Sequence, residues 1–384
     1  MAGPLRWFIR GNPKPSAKRW RELGAALMQG DPPMDRLLDW MNTTGMQNAR
    51  LLFEQALEQG SASVPDAPEP LREFFKQVEQ RPDWVEEDLL TEGMRVCQLS
   101  GRPGIFALRD VALMGGYQAA ALNQTLILTG ALTRGALHRV AETLSWWLDC
   151  TALGGMDPRQ PGFKNTLRVR LVHSMVRRRV SQLPEWRMPV WGLPINQTDM
   201  MGTYLGFSVA FLLGARVLGV PFTAKESRAV MHLWRYIGWL MGVEERWLVD
   251  DEMAGRILLY QYTISQAPPD ESSVQMGRAL MDEPLHRPYV KFKKLRSQFV
   301  RARHLSINRL FLGRAGMRAL GLPTGVLPWY PLLTVPPTLL KHGLLRVIPG
   351  GRQQLIRLGR AAQEEGLREL TGGGKPGVTA NPAL

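Results

Sequence analysis

His173 stands in the segment Asn165-Thr-Leu-Arg-Val-Arg-Leu-Val-His-Ser-Met-Val-Arg-Arg-Arg-Val180, and its neighbours make it the side chain best placed to do chemistry. Val169, His173, Val176 and Val180 fall at i, i+4, i+7 and i+11, which predicts one helix with the imidazole on an apolar stripe. Arg170 and Arg177 lie three residues before and four after it, on the same side of that helix. Such a helix can hold a haem. The imidazole binds iron, Val169 and Val176 cover the porphyrin, and Arg170 and Arg177 pair with the propionates. The same pattern also describes a histidine satisfied within an ordinary core.

A second constellation precedes it, in Ala136-Leu-His-Arg-Val-Ala-Glu-Thr-Leu-Ser-Trp-Trp-Leu-Asp149. Arg139 and Thr143 are i and i+4, with Trp146 and Trp147 on nearly the same face. A cation, a hydroxyl and an indole wall suit a pocket that holds a polarised oxygen ligand beside an apolar substrate. Glu142 and Asp149 are the nearest carboxylates able to act as a base, and His138 points elsewhere, towards solvent. These residues equally fit an amphipathic helix with Arg139 in an ion pair and both tryptophans in the core. In Trp234-Arg-Tyr-Ile-Gly-Trp-Leu-Met-Gly-Val243, Gly238 and Gly242 would admit a second helix or a flat ligand, and Trp239 and Met241 could line a cavity. His232, just upstream, is the rival to His173 as a ligand.

The elements that must position these residues read as helices. Strand-like alternation and hairpin signals are scarce, which predicts an all-α, multi-helix bundle enclosing a ligand pocket. Residues 1–65 form a helical arm, with helices around 17–28 and 33–59. Residues 60–70 read as a linker, 70–266 as the core, 274–371 as C-terminal helices packing on it, and 372–384 as a disordered Gly/Pro-rich tail. The chain has 384 residues, 45% hydrophobic and 21% charged, ample for a large core. Two cysteines, Cys97 and Cys150, argue against a disulfide framework and for a reducing compartment. The six histidines show no zinc spacing, and no dinucleotide or P-loop glycine motif occurs.

The N-terminus lacks the long apolar core of a signal peptide, and the apolar stretch 204–222 is broken by Arg216, so it reads as a buried core helix. Together these predict a cytoplasmic protein. The net charge of +14 is uneven: from Lys291 to Arg318 there are nine Lys or Arg and no Asp or Glu. That run could face phosphates or anionic lipid. No nucleic-acid-binding signature accompanies it, so nucleic acid is not an expected partner. With the apolar Leu327-Pro-Trp-Tyr-Pro-Leu-Leu333, it predicts peripheral contact with the inner membrane face.

Taken together the segments resemble an oxygenase family, that of the bacterial latex-clearing proteins (rubber oxygenases) and of the fungal enzymes that shorten the farnesyl chain of mycophenolic acid precursors. The matching pieces are Arg81-Pro-Asp-Trp-Val85, Leu126-Ile-Leu-Thr-Gly130, Arg139-Val-Ala-Glu-Thr143, Gly154-Gly-Met-Asp-Pro158, Arg168 to His173 with Arg177, Gly192-Leu-Pro-Ile-Asn-Gln197, and Trp234 to Gly238 with Gly242-Val243. They span roughly residues 70 to 260. The resemblance implies a globin-like core binding one b-type haem (heme b) per chain. It makes His173 the iron ligand, puts Arg139 and Thr143 on the distal side, and sets Arg170 and Arg177 near the propionates. The reaction it implies is dioxygen-dependent cleavage of a C=C bond in a hydrophobic, isoprenoid-type small molecule or lipid. Two positions depart from the pattern. Glu142 stands where the latex-clearing enzymes have a lysine, and Asn123 where they have a glutamate proposed as base. These departures leave open a haem-binding protein without cleavage activity. The basic C-terminal region leaves open a cofactor-free peripheral-membrane protein.

Overall fold

The computed structural model describes residues 2–130 and 135–374. Helices dominate and no strand occurs among the described residues, so the all-α expectation holds. Most of the expected tail, residues 375–384, lies outside the described residues.

The N-terminal arm is built into the core. Leu23, Met34, Leu37, Met41 and Phe53 are buried in the same apolar cluster as Phe74, Trp147, Leu171 and Trp234. Each large side chain so buried contributes about 1.5–3 kcal/mol. The helix expected over 33–59 is two, Pro32–Thr44 and Met46–Gln59, because Gly45 between them takes φ +110°. The expected linker is tied down: Ser61 donates its backbone N–H and its hydroxyl to the Glu79 carboxylate.

At the centre, the path Gln197–Val217 is apolar and long enough to cross a membrane, yet 72% of its apolar window is buried inside the fold. It passes through a π-helical turn at Gly206–Ala210, which packs on a second π-helical segment, Ala107–Leu113. Such turns are rare and often mark functional regions. The helix Ala224–Leu240 starts at a Thr223/Glu226 capping box and crosses Glu87–Leu99 at Gly93. A Cβ on Gly93 would lie 2.4 Å from the Ala229 carbonyl oxygen, so this crossing depends on glycine.

The C-terminal helices Lys293–Ala319, Trp329–Val347 and Gly351–Thr371 close one flank. A buried charge cluster fastens them. Arg109, on the π-helical segment, reaches Glu283 at 3.0 Å and Asp110 at 2.6 Å, and Asp110 meets Nδ1 of His304 at 2.7 Å.

Candidate active site

The helices Ala136–Cys150 and Pro161–Ser181 run antiparallel. Trp146 Nε1 donates to Thr166 Oγ1 at 3.0 Å, Asn165 Nδ2 to Asp149 at 3.0 Å, and Cys150 lies against the Gly162 carbonyl. Thr143 and Arg139 lie further towards the start of the first helix, and Val169 and His173 further along the second. The two sequence constellations therefore belong to neighbouring helices, as one pocket requires.

His173 is half-buried, its Nδ1 is buried without a partner, and no described residue hydrogen-bonds the ring. Burial, and then the positive charge of Arg177, lower its pKa to about 4, so the imidazole is neutral at pH 7. A neutral imidazole with uncommitted nitrogens is the state that ligates a metal. Val176 is buried in a small cluster with Val180 and Trp186, against which Leu128 packs, and Val169 is half-buried.

The flanking arginines depart from expectation. Arg170 is buried and holds Asp31 of the arm bidentately, Nε at 2.6 Å and Nη2 at 2.7 Å, while Nη1 donates to the Leu240 carbonyl at 3.0 Å. Arg177 donates to Asp35 at 2.9 Å and to the Ile195 carbonyl at 3.1 Å. Protein groups already fill the role assigned to propionates. Only the Arg177 Nε is left buried and unpaired. The reason is geometric: Arg170, Ser174 and Arg177 turn towards the arm, and Ser174 donates to the same Asp35 at 2.5 Å.

On the neighbouring helix Thr143 is exposed and has no partner among the described residues. Arg139 forms no ion pair among the described residues. Its Nη2 donates to the Tyr117 hydroxyl at 3.0 Å, with the guanidinium 5.9 Å from that ring. Glu142 does not join them, because it pairs at 3.1 Å with His138, which is 56% exposed. Asp149 is spent on the helix joint, and Trp146 and Trp147 are core residues. Asn123 is fully buried, donating to the Tyr117 carbonyl at 2.7 Å and to Ser273 Oγ at 3.2 Å, with its Oδ1 unpaired. Tyr117 thus links Asn123 to Arg139, a connection no spacing in the chain signals.

The third segment packs protein against protein. A Cβ on Gly238 would lie 2.8 Å from Leu248, and one on Gly242 would lie 2.4 Å from Asp31. It is helix packing and the Asp31–Arg170 pair, not a flat ligand, that require these glycines. His232 accepts from the Glu86 N–H at 2.9 Å and lies edge-on to Trp84, so its Nε2 is engaged. Other motifs are joints of the same kind. Arg81 meets Asp157 at 2.7 Å, and Gln197 spans the Gly30 and Gly242 carbonyls at 2.7 and 2.9 Å. Ile195, a β-branched residue, takes φ +51° where its carbonyl receives Arg177, a strained conformation no sequence pattern announced.

Comparison with known proteins agrees with this architecture. Residues 105–338 match the model of the catalytic domain of the ER-bound oxygenase mpaB/B′ and rubber oxygenase. The match begins after Arg81–Val85 and runs on into the C-terminal helices, beyond the span read from the sequence. The chain is 24% identical over 201 residues to a rubber oxygenase of Streptomyces sp. (strain K30), covering 51% of this chain and 49% of that protein. It therefore spans about half the length of that curated relative. A structure of latex clearing protein in the closed state superposes with a TM-score of 0.61 at 18% identity, over 88% of this chain and 91% of the other, which shows a shared fold. With more than half of its residues matched, the chain belongs to the mpaB/rubber oxygenase catalytic-domain family.

Proposed function

We propose that this chain is a haem b-dependent oxygenase that cleaves a carbon–carbon double bond of an apolar, isoprenoid-type substrate with dioxygen. The observation that carries the reading is His173, a neutral, half-buried imidazole with no partner among the described residues, on a helix whose Arg170, Ser174 and Arg177 are held by the arm. No group of three or more metal-ligating side chains occurs among the described residues, and a haem asks the protein for one strong ligand. The residues fit the group: His173 would hold the iron and Val169 and Val176 would cover the ring. When bound, haem supplies the redox chemistry of dioxygen. Arg139 and Thr143 would face the reacting side. Thr143 offers a free hydroxyl, and Arg139 keeps donors beyond the one given to Tyr117. The buried Arg177 Nε, with no partner among the described residues, would be available to a propionate.

Glu142 is drawn towards His138 and Asn123 cannot take a proton, so neither supplies a base on the reacting side. Oxygen uptake, with mass-spectrometric detection of carbonyl products, tests the assignment on short isoprenoid alkenes and on polyisoprene emulsion. The proposal expects turnover of the short alkenes, abolished in Thr143→Val with Arg139→Leu. The buried amide of Asn123 supports a second reading, haem binding without cleavage. Haem-loaded protein that consumes no oxygen with any alkene would select it.

A further inference from the structure

The outward face of the Trp329–Val347 helix has no cover among the described residues. Leu332, Leu333, Leu340, Leu344 and Val347 recur on one helical face, and Leu333, Leu340 and Val347 are 68%, 64% and 79% exposed. The opposite face buries Pro331 and His342 against the protein. The apolar surface does not stop at this helix. The Trp329 ring lies 5.9 Å from that of Phe299, and Phe292 and Leu295, seven and four residues before Phe299, are 77% and 72% exposed. Scattered exposed leucines are ordinary, but a continuous apolar surface of this kind marks an interaction site.

Charge selects the occupant. From Pro284 to Gln363 the chain carries fifteen Lys or Arg and no Asp or Glu. Some of these cations are used internally, as Arg287 is by Glu283 and Arg346 by Glu226. Lys291, Lys293, Lys294 and Lys341, next to the apolar side chains in sequence, are exposed, and none has an ion pair among the described residues. A second copy seated here would oppose cation to cation. An anionic bilayer satisfies both features: apolar side chains enter the headgroup–acyl boundary, and lysines reach up to lipid phosphates. We propose that the Trp329–Val347 face, with Phe292, Leu295 and Phe299, docks this protein on an anionic phospholipid surface. The inference rests on this surface alone and stands or falls separately from the haem reading.

The test is co-sedimentation of the full chain with phosphatidylcholine vesicles containing or lacking phosphatidylglycerol, at low and high salt. Binding is expected to the anionic vesicles and to weaken with salt. Leu333→Glu with Leu340→Glu should lower partitioning about tenfold or more, with an unchanged far-ultraviolet spectrum, since both positions are exposed. Lys293→Glu with Lys294→Glu should weaken binding to anionic vesicles alone. Equal binding to neutral and anionic vesicles, or none to either, would overturn the proposal. So would a wild-type dimer, seen by light scattering, that the Leu333/Leu340 variant converts to monomer, because the face would then belong to a second copy.

Discussion

Arg170 and Thr143 lie on adjacent antiparallel helices, and the spacing around His173 reads both as parts of one pocket. In the folded chain they have opposite situations. Arg170 is 3% exposed and spends its guanidinium on Asp31 and the Leu240 carbonyl. Thr143 is exposed and has no partner among the described residues. His173 is on the same helix as Arg170 yet uncommitted like Thr143. Polar groups fastened to the arm hold the helix in place, and the groups left without partners are those available to a ligand.

The sharpest way to break this contrast is to remove one member from each side. Arg170→Ala leaves Asp31 buried without its counter-charge and should cost about 3–5 kcal/mol in urea unfolding. Thr143→Ala should stay within about 0.5 kcal/mol. Similar costs for both would show that the two sides do not differ.

Acid should act next. The folded pKa of His173, about 4, lies below the ordinary 6.5, so the unfolded chain binds more protons between those values. This contribution is complete above pH 6.5 and is lost as pH falls towards 4, at up to about 1.4 kcal/mol per pH unit. His342, also near 4, adds in the same sense, while Asp110, raised by burial to about 6, opposes it over part of the window. Comparing haem-free wild type with His173→Leu isolates the His173 share. Wild type should lose stability relative to the variant on acidification, and parallel pH curves would remove the claim that this imidazole is held neutral.

Gly242→Ala places a Cβ against Asp31 at φ +89° and should cost about 1–3 kcal/mol, reporting on the arm joint from the other side. Glu142→Gln should be nearly silent in stability, at about 0.5 kcal/mol or less, because its partner His138 is largely solvated. Under the proposed function it should also leave oxygen uptake almost unchanged. A large loss of turnover would return Glu142 to the reacting side.

Helix class and the core positions were legible in the chain, because period and apolar spacing are local properties. Val176 and Val180 pack as their spacing requires, and Trp146 and Trp147 take the core places their size favours. What the chain could not disclose were partners far away in sequence. Asp31 and Asp35 lie more than a hundred positions from the arginines they hold, and neither carries a local signal of that pairing. Tyr117 joins Asn123 to Arg139 through its carbonyl and its hydroxyl, which only the fold brings to one place. The hydrogen bond from Arg177 to the Ile195 carbonyl likewise joins a helix to a separate loop.

The most direct test is the visible spectrum and pyridine-haemochrome content of purified wild type beside His173→Ala, with far-ultraviolet circular dichroism on both. Wild type should show a Soret band near one haem per chain, lost in the variant while the helical signal persists. A folded wild type that takes up no haem when it is offered, or a variant that keeps the same Soret band, would contradict haem ligation by His173.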